Sequence, residues 1–338
     1  MMNTTGLAKY TGAVAALAIC SACGGGSAVA PSNAALNTAY IGSTLSVNGR
    51  LVTAARMNSP LPRYTTILPD GRTGYRKFEY IINDYGSFAG IFGYPKSDQQ
   101  IGTINNVGGQ GCTNVLFGYG KKTFWIVAGS DQITEYKVRQ IPIKTLSVSS
   151  DEMPSSCAMN TSGDLAVGIL AGTNAGDVVI FKNASGSGTA IPTPLDAEFF
   201  DGYDNKGNLF ADGFTSSGSF ALVVLPEGSS KFQTVATSNT VSFPGSVQWD
   251  GTYLTVTDQG TEKMYQYTVH GTMATLKGTV SLTGSNDCAQ TWIATGVVYC
   301  GDAGNENGSV FKYPAGGSAI AVFTGNFDLP LGVVVAVR

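Results

Sequence analysis

From about residue 78 onward the chain alternates apolar and polar positions in short runs, and turn-forming residues cut the runs every few positions. Residues 201–239 show the pattern most plainly. Asp204-Asn205-Lys206-Gly207 reads as a tight turn, because Asn and Gly tolerate the left-handed backbone that such turns need. A strand leads into the turn, and a short one returns over 208–211. Asp212-Gly213 opens a second turn region, Phe220–Leu225 is a third strand, Pro226-Glu227-Gly228 turns it, and 232–236 is a fourth. A single four-stranded sheet leaves two faces and two open edges, so it needs neighbours of its own kind.

The chain supplies them by repetition. The glycine that ends the first hairpin recurs at Gly120, Gly163, Gly207, Gly251 and Gly296, a spacing of 43 to 45 residues. An apolar strand follows each one, at 124–127, 165–167, 209–211, 253–256 and 297–300. A bulky residue near the end of the third strand keeps step at Tyr94, Tyr136, Phe181, Leu225, Tyr267 and Tyr313. Three markers in one phase, with four short strands per period, predict propeller blades. The first copy opens at 78–84 on what is elsewhere a second strand, and the last stops at 330–337 on what is elsewhere a first strand. The expectation is an all-β, six-bladed β-propeller over 78–338, built of four-stranded antiparallel blades, its C-terminal strand completing the N-terminal blade.

The segments DNKGNLFAD (204–212), WDGTYLTVTD (249–258) and FEYIINDYG (78–86) resemble the first hairpin of the large propeller group that includes NHL-repeat and gluconolactonase-like (SMP-30-like) proteins. The resemblance covers about three-quarters of the chain and implies architecture. Most copies lack the Asn and Arg that usually follow in NHL-type repeats, and no gluconolactonase-like ligand set can be placed residue by residue. That group hosts many activities on one fold.

The N-terminus begins with Lys9 and a short apolar run at 12–19, too short to span a membrane as a mature helix. It reads as an export signal. Ala22-Cys23 followed by a Gly/Ser stretch resembles a bacterial lipoprotein signal, which implies a lipid on Cys23; Cys20 stands three residues before it, where an aliphatic residue is usual. The other reading is an ordinary cleaved signal that discards both cysteines. Residues 1–23 are thus expected to be signal, and 24–77, polar and punctuated by proline, a partly disordered tether. Either way the mature chain is exported to the cell envelope, where disulfides are permitted.

Cys112 and Cys157 occupy equivalent places on first strands of adjacent copies. Cys288 holds the same phase near the end of the array, and Cys300 lies across a hairpin from it. Bridges 112–157 and 288–300 are expected, the alternative being buried free thiols. The spacings do not suit zinc.

Composition narrows the function classes. Only 13% of the 338 residues are charged, net charge is −3 without a basic block, and His270 is the single histidine. Nucleic acid is not an expected partner. His270 sits on a rim turn, away from where a site would form. Acidic residues recur on one face: Asp84, Asp131, Asp212, Asp258 and Asp302 after second strands, and Asp201 and Asp287 at first-strand entries. Such a ring could bind a hard cation or a polyol, or simply satisfy turn amides. Its recurrence with the repeat favours the turns, and Asp201 and Asp287 are the less regular members. Trp125, Trp249 and Trp292 could stack on sugars or fill the gaps between blades. The expected function is a monomeric, lipid-anchored binding or scaffold propeller for a protein or glycan, with no cofactor. The alternative is a metal-dependent gluconolactonase-like hydrolase or lyase, its divalent cation in the axial funnel.

Overall fold

The computed structural model describes strands at 44–47 and 50–53, and then residues 77–83, 88–93, 98–127, 131–138, 141–294 and 296–337. Cys20, Cys23 and Asp84 lie outside the described residues, as does most of the expected tether. Within the tether, Thr44–Val47 and Arg50–Thr53 pair as a two-stranded hairpin.

Strand pairing follows the repeat. Gly111–Thr113, Thr123–Val127, Gln132–Lys137 and Ile141–Ser147 make one antiparallel sheet. Met153–Met159, Leu165–Ala171, Val178–Phe181 and Thr189–Ile191 make the next. The sequence 201–239 belongs to a sheet of Ala197–Tyr203, Leu209–Phe214, Phe220–Leu225 and Gln233–Thr237. Its turn is held by Asp204, whose Oδ1 accepts the amides of Lys206 and Asn208 at 2.8 and 2.9 Å. Val247–Trp249, Leu254–Asp258, Lys263–His270 and Met273–Thr283 follow, then Cys288–Ala294, Val297–Asp302, Asn307–Lys312 and Ala321–Phe323. The last sheet is composite: Pro330–Val337 pairs antiparallel with Lys77–Asn83, which continues into Phe88–Phe92 and Gln100–Asn105. The C-terminal strand therefore completes the N-terminal sheet, and no α-helix occurs among the described residues.

Packing shows why the last strand reads Val-Val-Val-Ala without a polar break. Val333 and Val335 pack into the seam with the preceding sheet, against Trp292 and Tyr299. Val334 and Ala336 face the other way, into the seam with the following sheet, against Phe124 and Ile126. A strand buried on both faces has no solvent side to alternate with. The same arrangement repeats round the molecule, with an apolar cluster at every seam between successive sheets. Each fully buried Val or Phe there contributes about 1.5–3 kcal/mol. The first strands run side by side about the axis, and the Ser246 amide donates to Ala289 O at 3.1 Å between two of them. Between two pairs of sheets, outer strands add short parallel joints, at Ala236 with Met273 and at Leu282 with Gly317.

The four cysteines lie in two bonded pairs. Cys112 and Cys157 join two inner strands, with Cα atoms 5.7 Å apart. Cys288 and Cys300, 5.6 Å apart, close a single hairpin. A bulge between Cys288 and Thr291 sets Cys288 opposite Asp302 and Cys300 opposite Thr291, so this pair meets diagonally. Loop entropy ranks the two bonds. The first encloses 45 residues and the second 12, worth about 4 and about 3 kcal/mol respectively. Urea denaturation of Cys112→Ser/Cys157→Ser is therefore expected to show the larger loss and that of Cys288→Ser/Cys300→Ser the smaller; the reverse order would contradict the loop account.

Candidate functional site

The inner strands converge on a cavity of about 30 Å³, enough for one or two waters or a single small ion. Its wall includes Gln110, Cys112, Cys157, Asp201, Ser246, Gln248, Trp249, Gln290 and Trp292. In the first described sheet the inner hairpin is widened into the loop 114–119, which reaches across the axis. Gln248 Nε2 donates to Leu116 O at 3.0 Å, Trp292 Nε1 to Gly118 O at 2.6 Å, and the Gly118 amide to Ile293 O at 2.8 Å. Trp292 thus caps the axis by a hydrogen bond as well as by its ring, while Trp125 is buried within a seam.

Neutral polar groups at the axis are satisfied. Gln290 exchanges a pair of hydrogen bonds with the Gly111 backbone, and its Oε1 also accepts the Val333 amide. Gln110 Nε2 donates to Phe199 O at 2.7 Å, and Gln248 Oε1 accepts the Ile293 amide at 2.8 Å. These amides stitch neighbouring inner strands together, as buried polar groups must be.

The carboxylates contrast with them. Glu198 and Asp212 are fully buried and Asp201 is 7% exposed. Among the described residues four buried side-chain polar atoms lack a partner, and three are carboxylate oxygens: both of Asp201 and Oδ1 of Asp212. Asp212 Oδ2 accepts the Gly245 amide at 3.2 Å. Glu198 reaches into the adjoining sheet, where Ser156 Oγ lies 2.9 Å from both its oxygens. It fits because the residue beneath is Gly168: a Cβ there would stand 1.6 Å from Glu198 Oε2 and 2.3 Å from Ser156 Oγ. Glu198 and Asp201 are three apart yet share a strand face, because a bulge between Glu198 and Phe200 inserts an extra residue. No lysine or arginine is buried among the described residues. Burial, and then the Asp201 charge, push Glu198 well above the ordinary carboxylate range; burial does the same to Asp201 and Asp212.

Of the predicted aspartates that are described, only Asp201 lines the cavity. It is not at a strand entry, as expected from sequence, but in the middle of Ala197–Tyr203, because the strand begins four residues earlier. Asp258 accepts the amides of Ser242, Phe243 and Gly260 at 3.0–3.1 Å, and Asp302 accepts those of Asn286 and Asn305. Asp287, partly shielded, has a left-handed backbone (φ 82°), and burial followed by the Asp302 charge pushes its carboxyl up to about 7. His270 is exposed at the end of Lys263–His270, away from the axis. Sequence reading missed Glu198 and Ser156. The signal for Glu198 was an acidic residue at 198 in the otherwise apolar run leading into Asp201, legible only once the bulge is known.

No protein-family model matches the chain, and no curated protein does. Solved structures do. A protein of unknown function from Bacteroides caccae superposes with a TM-score of 0.58 at 11% identity, over 78% of this chain and 99% of its own. A chain of a nidogen/laminin complex gives 0.57 at 10% identity, over 77% and 98%. A functionally unknown protein from Desulfotomaculum acetoxidans gives 0.52 at 8%, over 77% and 99%. These likenesses carry the fold, a β-propeller.

Two tests follow from the site. Gly168→Ala should cost about 1–3 kcal/mol by forcing the Glu198 carboxylate from its notch, and the cost should shrink in a Glu198→Ala background; simple additivity would contradict the contact. Asp287 gives the second. A carboxyl raised from 3.8 to about 7 in the fold holds its proton where the unfolded chain has lost it. Its contribution is complete below about pH 4 and is lost as pH rises toward 7. The fall in stability between pH 4 and 7 should be shallower by up to about one proton in Asp287→Asn, whose amide also tolerates the left-handed backbone; an unchanged slope would contradict this.

Proposed function

We propose that the protein is an exported propeller, held to the bacterial cell envelope by a lipid on Cys23, that works as a binding module with its ligand site on the axis. One observation carries the reading: at the point where inner strands of several sheets meet a small cavity, Asp201 presents two buried oxygens outside hydrogen-bond geometry of any donor, the nearby Ser156 hydroxyl being engaged by Glu198. Such a group costs free energy in the empty protein, and a ligand recovers that cost on binding. The surrounding glutamines and the loop 114–119 hold the site rigid, which lowers the entropy lost on binding. The two disulfides fit an oxidising compartment.

The same carboxylates motivate a second reading, cleavage of a lactone or sugar ester, since buried acids with raised pKa values are the groups that serve as general acids. Incubation of the purified chain with a panel of lactones and sugar esters separates the two. The binding reading expects no turnover beyond that of Asp201→Asn, and turnover that Asp201→Asn abolishes would overturn it. For the anchor, Cys23→Ala is expected to move the protein from the membrane fraction to the soluble fraction; an unaltered distribution would contradict lipidation there.

A further inference from the structure

The exposed apolar side chains of the ring are not scattered. Among the described residues the large ones are Phe117, Ile141, Ile143, Met273, Ile320 and Val322, each 42–51% open to solvent. In the sheets of the ring, the turns from first to second strand and from third to fourth open on one end of the axis. Phe117 belongs to that end. It crosses the axis in the loop 114–119, and a Cβ on Gly251, in the inner hairpin turn of another sheet, would stand 2.9 Å from its ring. Ile141 and Met273 begin fourth strands directly after such turns, and Ile320 directly precedes one. Ile143 and Val322 lie two residues further along the same strands. The opposite turns expose no large apolar side chain among the described residues. Single exposed apolar residues are ordinary, but a set confined to one end of a ring marks a surface that meets something.

Charge divides the same way. Lys77 and Lys121 share a rung at this end, each paired with Val337. The Val138 amide donates to Lys122 O at 2.9 Å, and Lys137 pairs with Ile141. Lysine positions thus run in a row that ends on the exposed isoleucines. Lys206, Lys231 and Lys312 are exposed on turns farther round. Most acids here are engaged: Asp164 bonds Lys182 at 2.9 Å, Asp204 is buried in its turn, and Asp250 accepts the Thr252 and Tyr253 amides. Asp98 and Glu227 are the exposed ones. The opposite end is acidic, with Asp131, Asp151, Asp177, Glu262, Glu306 and Asp328 against one lysine, Lys263, among the described residues. The segment that precedes the ring joins it at Lys77, on the basic end.

We propose that the basic end is a docking face for a membrane surface rich in anionic phospholipid, with the acidic end turned away from it. The apolar side chains come from the axis and from three different sheets, so the partner they fit is broad and flat. Clustered lysines are drawn to anionic headgroups, and the bodies of Ile141, Ile143 and Met273 can enter the boundary between headgroups and acyl chains. The lysine stems lie along the same boundary with their charges in the headgroup layer. Each contribution is small, so the contact is reversible and works alongside a lipid chain as the second of two signals. The proposal goes beyond the axial site and gives the ring an orientation. It rests on the envelope reading only for which membrane the face meets.

The test uses the mature chain, residues 24–338, without a lipid, so that the face alone is measured by flotation with vesicles. Binding is expected to mixed phosphatidylglycerol and phosphatidylcholine vesicles at low ionic strength, falling steeply with added salt, with little binding to phosphatidylcholine alone. Lys122→Gln/Lys137→Gln should weaken it about tenfold or more, each lysine being worth about fivefold. Ile141→Ser/Ile143→Ser should weaken it several-fold, and Lys277→Gln, exposed on the side of the ring, should bind as the parent does. If the first pair lowers Tm, Lys206→Gln/Lys231→Gln on the farther turns takes its place. No binding to anionic vesicles would overturn the proposal, as would equal binding to phosphatidylcholine or binding that both lysine pairs leave unchanged. So would a dimer in solution that Ile141→Ser/Ile143→Ser breaks, which would make a second copy the occupant. Vesicle binding by the unlipidated chain is independent of the Cys23→Ala fractionation and of any axial ligand, so a failure of the face and a failure of the anchor or the binding reading are distinct.

Discussion

The pairing of Pro330–Val337 with Lys77–Asn83 is the interaction on which the rest of the structure depends. Without it a row of four-stranded sheets would end in two open edges and two exposed apolar faces. With it, the sheet at the N-terminal end of the row becomes the neighbour of the sheet at its C-terminal end, and every seam has a partner on both sides. The closing strand is apolar along its length because it is shared between two seams, with Val333 and Val335 in one and Val334 and Ala336 in the other.

Closure also creates the axis. Once the ring is shut, first strands from every sheet run close together, and there is too little space for bulky side chains on all of them. The chain meets this with glutamines that bridge neighbouring backbones, a disulfide between two inner strands, and bulges that adjust which residues face inward. Against this background of satisfied groups, the Asp201 carboxylate stands out. Stability alone would favour a residue that packs or pairs; the equivalent place in the preceding sheet is filled by the bonded Cys157. Strained or unsatisfied groups that a fold tolerates cluster at functional sites, and here the cluster adjoins the axial cavity.

Much of this architecture was legible in the sequence. The repeat glycines marked the inner hairpins, and the offset between the first and last copies pointed to the shared sheet. The cysteine phases gave both bonds. The recurrent Asp258 and Asp302 were readable as turn residues, because a residue that returns with every repeat answers a need of the repeat. The site was legible only in part. Asp201 was noticed for breaking the pattern, but Glu198 and Ser156 were not, since their convergence depends on a bulge and on a glycine in the neighbouring sheet. Neither has a local sequence signature: a bulge is one residue in a strand, and Gly168 matters only through what crosses above it.

Closure by Pro330–Val337 makes the ring a single cooperative object, with the closing strand as strong as any other inner strand. Native-state hydrogen exchange measures this residue by residue. Amides of Val333, Val334 and Val335 are predicted to exchange only through global unfolding, with the same free energy as those of Ala166 and Val298 on other sheets. Exchange of the closing strand at markedly lower free energy, with the remaining sheets still protected, would show that the sheets stand without closure and would contradict the account.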